Sequence, residues 1–494
     1  MLERHEWYDI ARSTNWTPKY VKEEELFPPE MSDPYAISQE LWETYDEPYK
    51  VSYTEYVSVQ REKDLGAYSV KAAVARQKFV ENCDERWRAI LKLHFGGIAL
   101  AESISQLGEA RLVRFGKAPG MRNMATFGLL DEIRHGQIQL SFPHDWVQID
   151  KQFAWTHKAL HTNEWGAIAV RHILDDIFIS RDAATTAVML TFAFETAFTN
   201  MQFLALAANA SKAGDIAFSS VISSIQTDEA RHAQIGAPVL SIMVKAGKVA
   251  EAQKILDISF WRTWKLFSLL TGMSMDYYTP VERREASFKE FMHEWIIGQF
   301  ERQVLDLGLQ RPWYWDIFLD ELEFFHHAMH LGSWTFKKTL WWNSPGAVSV
   351  EERAWLEEKY PGWNDSWGVL WDGYGQSIRE GKEQFMYPES LLLVCTMCNL
   401  PMIHRPGTWP FPYMSWEYEG HKYLFCCEPC RWIFQQEPDR YKGHKPLHER
   451  ALAGDIVPLN YAGAVEFMSC TEDGGHDATD YAWAFPKPEV RKAG

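Results

Sequence analysis

Asp131-Glu132-Ile133-Arg134-His135 and Asp228-Glu229-Ala230-Arg231-His232 are two copies of one five-residue frame. In each, Glu and His stand three residues apart, so on a helix they share a face one turn apart. Working outward, Glu102 lies 30 residues before Glu132, and Glu195 lies 34 before Glu229. Each of these glutamates interrupts an apolar stretch, GGIALAES at 96–103 and TFAFETAF at 191–198. Two Glu-x-x-His helices, plus one Glu from each of two more, make the di-metal carboxylate site of ferritin-like bundles. A lone Glu-x-x-His is usually a solvated helix face; two in matching frames, each preceded by a glutamate in an apolar helix, point to ligands. Four carboxylates with two neutral imidazoles balance two divalent ions, which removes the penalty of burying them. Carboxylate with imidazole suits iron or manganese rather than a thiophilic metal. Asp131 and Asp228 are placed to accept imidazole N–H groups and fix the tautomers. Helix spacing allows pairing within one helix as well as between helices. Arg134 and Arg231, about 200° round the helix from their glutamates, point away from the metals and suit Asp–Arg bridges.

The surrounding chain reads as all-α. Helices are expected at roughly 66–117 (broken near Cys83), 120–140, 154–178, 180–211 and 214–246, punctuated by Pro119-Gly120, Phe142-Pro143 and Ala213-Gly214-Asp215. A capping box at Ser349–Glu352 opens a short helix ending near Pro361. Residues 1–65, rich in Pro, Trp and Tyr, read as an extended arm suited to wrapping another subunit; 66–385 read as the ferritin-like di-iron helical domain with additional helices. Residues 386–494 read as a small α+β module and tail. The most apolar stretch, Ala183–Ala208, contains Glu195 and Asn200, which fits a buried bundle helix rather than a membrane span. A net charge of −17 argues against nucleic acid as a partner. No apolar leader follows the N-terminus, and the expected compartment is cytoplasmic.

Beyond the two frames, MATFGLLDEIRHGQIQL (124–140), TFAFETAFTNMQFLALAA (191–208), SSIQTDEARHAQ (223–234), MDYYTPVE (275–282), SFKEFMHEWI (287–296), PWYWD (312–316) and HEWYDIARSTNWTPKY (5–20) carry a resemblance. The chain resembles the α subunit of toluene/alkene (isoprene-type) monooxygenases, soluble di-iron enzymes related to methane monooxygenase hydroxylase. The resemblance implies that Glu102, Glu132 and His135 bind one iron and Glu195, Glu229 and His232 the other. It places Thr199 beside the site in O2 activation and proton delivery; by spacing alone, Thr199 is as well a mid-helix threonine bonding back to the Glu195 carbonyl. It makes Asn200 and Gln226 polar residues that rearrange when an effector protein docks, and pairs Asp131 with His232 and Asp228 with His135. Its pocket positions are Ile98, Ala101, Leu174, Phe178, Leu190, Phe194 and Phe203, apolar as a hydrocarbon site requires. It implies insertion of one oxygen atom into a small unsaturated hydrocarbon, by arene hydroxylation or alkene epoxidation, with O2 and NADH-derived electrons.

The chain shows no Gly-x-Gly-x-x-Gly fingerprint and no Rieske Cys/His pattern, so electrons are expected from outside. The resemblance supplies an NADH reductase, a Rieske-type ferredoxin, an effector (coupling) protein and two smaller hydroxylase subunits in a dimer of heterotrimers. A ferroxidase or iron-storage bundle is typically a third of this length. A radical-generating reductase subunit keeps a Tyr where this chain has Gln139, and an acyl-carrier desaturase shares the ligands but not the flanking motifs. The histidines of Phe325–His330 lack an acidic companion cluster and suit packing, and His94 lies outside the ligand set.

Near the C-terminus, Cys395-Thr-Met-Cys398 and Cys426-Cys427-Glu-Pro-Cys430 form two pairs. Their surroundings, YEGHKYLFCCEPCRWIFQQEPDRY (418–441), resemble the YHS-type treble clef. The spacing suits structural zinc on Cys395, Cys398, Cys430 and one of Cys426 or Cys427, or a fold that has lost its metal.

Overall fold

The computed structural model describes residues 3, 6, 9, 10, 19–342, 349–380, 393–407 and 414–468. Much of the 5–20 motif, the expected boundary at 385/386 and the tail beyond 468 lie outside the described residues. Helix α1 (Tyr53–Gln77) starts at Ser52, whose hydroxyl accepts the Glu55 N–H. Helix α2 (Glu85–Phe115) starts at Asp84, which caps the Arg86 N–H. Helix α3 (Pro119–Trp146) opens on Pro119, where no donor is lost, and runs through Pro143 rather than stopping there. Helix α4 (Trp165–Leu174) starts at Glu164, after 310 turns at Lys151–His157 and Ala159–His161 where a helix from 154 was expected.

Helix α5 is one rod in three windings, Ala183–Thr186, Ala187–Thr199 and Asn200–Ala213, closed by Gly214 at φ +81°. Only glycine takes that left-handed cap without strain. Helix α6 (Ile216–His232) is capped by Asp215, whose other oxygen accepts the Trp87 indole N–H at 3.0 Å, tying α6 to α2. The expected segment 214–246 is therefore two helices, α6 and α7 (Gly236–Lys245). Helix α8 (Val249–Phe267) follows and is buried on most of its surface.

Helices α2 and α3 pack along their lengths, α5 packs on α6 and α8, and α6 meets α3 and α1. The four helices with the sequence-nominated ligands therefore share one core. The middle of α5 (Ala187–Thr199) is π-wound, as are Asp175–Ile179 after α4 and Ser268–Gly272 after α8. Such wide turns concentrate at functional sites, and these three surround one cavity.

The arm differs from expectation. Its residues 53–65 belong to α1 rather than to an extended segment, and Tyr35, Trp42 and Tyr45 are seated on this chain. Tyr35 meets the Thr185 hydroxyl at 2.6 Å, and Tyr45 donates to the Ile235 carbonyl at 3.2 Å. The capping box at Ser349 is present, opening helix α9 (Val350–Lys359). The C-terminal module holds the antiparallel pair β1 (Met414–Tyr418) and β2 (His421–Phe425), then helix α10 (Glu428–Gln436). Among the described residues no helix is long and apolar enough to cross a membrane.

Candidate metal centre

Glu102 on α2, Glu132 and His135 on α3, Glu195 on α5, and Glu229 and His232 on α6 converge in the bundle, all buried. Ligand atoms of Glu132, His135, Glu229 and His232 lie within 4.8 Å of one another. His135 Nδ1 faces Glu229 at 3.2 Å and Glu102 at 3.8 Å; His232 Nδ1 faces Glu195 at 3.0 Å. Both oxygens of Glu132 and of Glu195, Nδ1 of His135 and both nitrogens of His232 have no hydrogen-bond partner among the described residues. Burial drives the Glu132 and Glu195 carboxyls well above their usual range, with the charge of Glu102 adding to it, and Glu229 is pushed up to about 7. Burial also raises Glu102, but the adjacent His135 imidazole foremost, and the amide of Gln139 with it, bring it below its usual value. Unpaired lone pairs, crowded carboxylates and two imidazoles are what a pair of hard dications satisfies, so these residues fit a di-iron centre.

The aspartates behave asymmetrically. Asp228 lies 3.4 Å from His135 Nε2, the cross-helix arrangement. Asp131 does not reach His232; it accepts from Tyr56 Oη and Gln60 Nε2, each at 2.8 Å, and pairs with Arg231. Arg231 also bridges to Asp228 at 3.1 Å, within its own helix, whereas Arg134 crosses to Asp228 at 3.0 Å and to Asp64 at 2.7 Å. Lys63 joins Asp228 at 2.5 Å. Tyr56, Gln60 and Lys63 escaped the sequence reading. Their spacing on one face of α1 was the available signal.

A void of about 40 Å³ adjoins Glu102, Glu195 and Glu229. Ile98, Ala101, Leu174, Phe178, Phe194 and Phe203 line it; Leu190 does not, and packs towards Gly108 on α2 instead. Leu266, Phe267 and Leu270, at the end of α8 and in its π turn, complete the wall and were not foreseen. Thr199 also lines the void, and its buried hydroxyl has no hydrogen-bond partner among the described residues. It does not bond back to the Glu195 carbonyl, which accepts from the backbone and side-chain N–H groups of Asn200 instead. Gln226 in turn donates to Asn200 Oδ1 at 3.3 Å. Asn200 and Gln226 open onto an outer groove shared with Trp295 and Gln299.

His94 lies outside the ligand set but is linked to it. It meets Gln139 Oε1 at 2.8 Å, and Gln139 Nε2 donates to Glu102 Oε1 at 2.6 Å. The other histidine cluster packs: His326 Nε2 sits 2.9 Å from Asp276, His327 pairs with Tyr277 at 2.6 Å, and His330 stacks on Tyr277. Glu109 on α2 was not foreseen. It is fully buried, its carboxyl held high by burial and then by the charge of Glu195, and it groups with Glu195 and His232.

In the C-terminal module the sulfurs of Cys395, Cys398, Cys426 and Cys430 lie within 4.8 Å of one another, and Cys427 is outside that group. Trp261 Nε1 on α8 approaches Cys430 Sγ at 3.3 Å, and Arg262 donates to the Met397 carbonyl at 3.0 Å.

Residues 16–247 match the profile of the Methane/Phenol/Alkene Hydroxylase family, and 413–445 that of the YHS domain. The chain is 42% identical, over all of its length and 99% of the relative's, to the oxygenase component subunit alpha of the alkene monooxygenase system of Xanthobacter autotrophicus. It is 28% identical to the oxygenase component of phenol 2-monooxygenase from a Pseudomonas species, over 89% of this chain and 85% of that one. Identity to the methane monooxygenase component A alpha chain of Methylococcus capsulatus is 24%, over 89% and 83%. Phenol hydroxylase from Pseudomonas sp. OX1 shares the fold, with a TM-score of 0.84 at 24% identity over 95% of this chain and 94% of that one.

Proposed function

The chain belongs to the methane/phenol/alkene hydroxylase family and is the catalytic subunit of a multicomponent di-iron monooxygenase acting on hydrocarbons; we propose that its substrate is a small alkene, which it epoxidises. The observation that carries the substrate is the full-length identity to an alkene monooxygenase subunit, 42% against 28% for the phenol relative. The void supports it, being small, at about 40 Å³, and walled by apolar side chains. The shortest alkenes need the smallest side-chain adjustment to enter.

Glu102, Glu132, His135, Glu195, Glu229 and His232 would hold the two irons. A di-iron centre held there supplies reductive activation of O2, one oxygen atom entering the alkene and the other leaving as water. The chain's residues do the rest. Phe178, Phe194 and Phe267 exclude water and press the hydrocarbon towards the glutamates. The free hydroxyl of Thr199 faces the void and hands on protons. Gln226 and Asn200 connect the outer groove to the Glu195 carbonyl, so an effector protein seated on that groove bears directly on a ligand helix. Four cysteines, Cys395, Cys398, Cys426 and Cys430, would hold zinc, leaving Cys427 spare.

The partners proposed are the two smaller hydroxylase subunits in a dimer of heterotrimers, the effector protein, a Rieske-type ferredoxin and an NADH reductase, in the cytoplasm. Reconstitution by omission tests them together with the substrate. NADH-driven epoxide formation from propene or isoprene is expected to need every component, with kcat/KM higher than for toluene or phenol. Full turnover by this chain and NADH alone, or an arene preferred over every alkene, overturns the reading.

A further inference from the structure

We propose that Glu109 is the residue that orients His232, taking at that end of the centre the part that Asp228 takes for His135; this rests on the six-ligand reading above. A neutral imidazole presents one acceptor nitrogen and one N–H. If the acceptor faces a metal, the N–H needs its own acceptor, and a ligating histidine almost always has one. Asp131, the symmetric candidate, is already committed to Tyr56, Gln60 and Arg231. Glu109 is a carboxyl outside the six ligands that is uncommitted among the described residues. It is fully buried, and neither of its oxygens has a hydrogen-bond partner among the described residues. It lies within 4.8 Å of the ligand atoms of His232 and Glu195.

The backbone opposite is cut to admit it. A Cβ on Gly128 of α3 would lie 2.9 Å from Glu109 Cδ and 3.2 Å from the His232 Cβ. Without that side chain, the Glu109 carboxyl and the His232 side chain both lie against Gly128. Glu109 also stands seven residues after Glu102, two turns along the same face of α2. Helix α2 thus faces the centre twice, with Glu102 at the His135 end and Glu109 at the His232 end. Burying a carboxyl with no partner is unfavourable, and an imidazole N–H offsets this without adding a ligand.

The test titrates the metal-free full-length chain with Co(II), following ligand-field absorption and the shifted imidazole N–H resonances. Wild type is expected to bind two equivalents. Glu109→Leu is expected to weaken one of them by about 10–100-fold and to shift one N–H resonance. Glu109→Gln, whose amide oxygen still accepts the N–H, is expected to restore most of the affinity while moving that same resonance. Wild-type binding and spectra in Glu109→Leu overturn the proposal. So does a Gln variant as weak as the Leu variant, which would mark Glu109 as a ligand or a required charge. If Glu109→Leu does not fold, an unmoved resonance in Glu109→Gln overturns it alone. Wild type that fails to take two equivalents overturns the ligand reading itself, and the proposal with it.

Discussion

Thr199 shows how one side chain's partners decide between roles. Its spacing suited a back-bond to the Glu195 carbonyl, yet Asn200 occupies that carbonyl and the Thr199 hydroxyl, beside the void, has no hydrogen-bond partner among the described residues. Thr199→Ala is expected to keep its iron and its fold, because the hydroxyl binds neither. A positioned proton donor is worth about 10²–10⁴-fold, so coupled oxygenation of the hydrocarbon should fall within that range. NADH should instead be spent on hydrogen peroxide, read as peroxide released per NADH. Unchanged coupling would return Thr199 to a packing role. Leu190 makes the converse point: apolar and on the right helix, it packs towards Gly108 outside the void, whereas Phe178 and Phe194 reach it.

Among the elements, the cysteine module is the clearest test of whether a motif implies a metal. Four sulfurs converge from the turn at 395–398 and from the start of α10, while Cys427 stays outside their group. Zinc held there would contribute folding free energy directly. Cys398→Ser is therefore expected to lose about one zinc per chain and to lower the temperature at which the module melts. Cys427→Ser should keep the metal. Elemental analysis with absorption at the zinc edge reads both, and retention in Cys398→Ser would leave the cluster as free thiols. The π-wound stretches are a second lesson at this scale. They place Phe178, Glu195, Thr199 and Leu270 around the void, and nothing in local propensity marks where a helix widens.

Across the whole molecule, Asp176 fastens the C-terminal module to the bundle from the π turn that also carries Phe178. It accepts from Arg181 at 2.7 Å, Arg440 at 2.8 Å and Tyr441 at 2.9 Å, and lies 3.0 Å from Arg262. Burial raises its pKa, but Arg181, Arg262 and Arg440 overcome that and hold the carboxyl well below its usual range. A depressed carboxylate stabilises fully above its unfolded pKa of about 3.9 and loses that contribution as pH falls, about 1.4 kcal/mol per unit. Asp176→Asn is expected to cost about 3–5 kcal/mol at neutral pH, since it leaves the buried Arg262 guanidinium without its carboxylate. Its stability should then fall less steeply than wild type's below about pH 4. Denaturant melts at pH 7 and pH 3 check both; equal pH slopes would remove Asp176 from the clasp.

What the sequence determined by itself was whatever repeats at helical spacing. The two Glu-x-x-His frames, the glutamates in apolar helices and the caps at Ser349 and Gly214 are local patterns, and helix geometry turns them into faces and ends without further information. The all-α bundle and its buried Glu/His cluster follow from them. What only the tertiary structure decided was which helix each polar group answers to. Asp131 turned to Tyr56 and Gln60 on α1 rather than to His232, Gln139 joined His94 to Glu102, and Glu109 came to rest beside His232 across Gly128. Those pairings join residues far apart in the chain, whose distances are set when whole helices pack. No spacing along one helix encodes them, because hydrogen bonds are decided over tenths of an ångström while helix packing varies by whole ones.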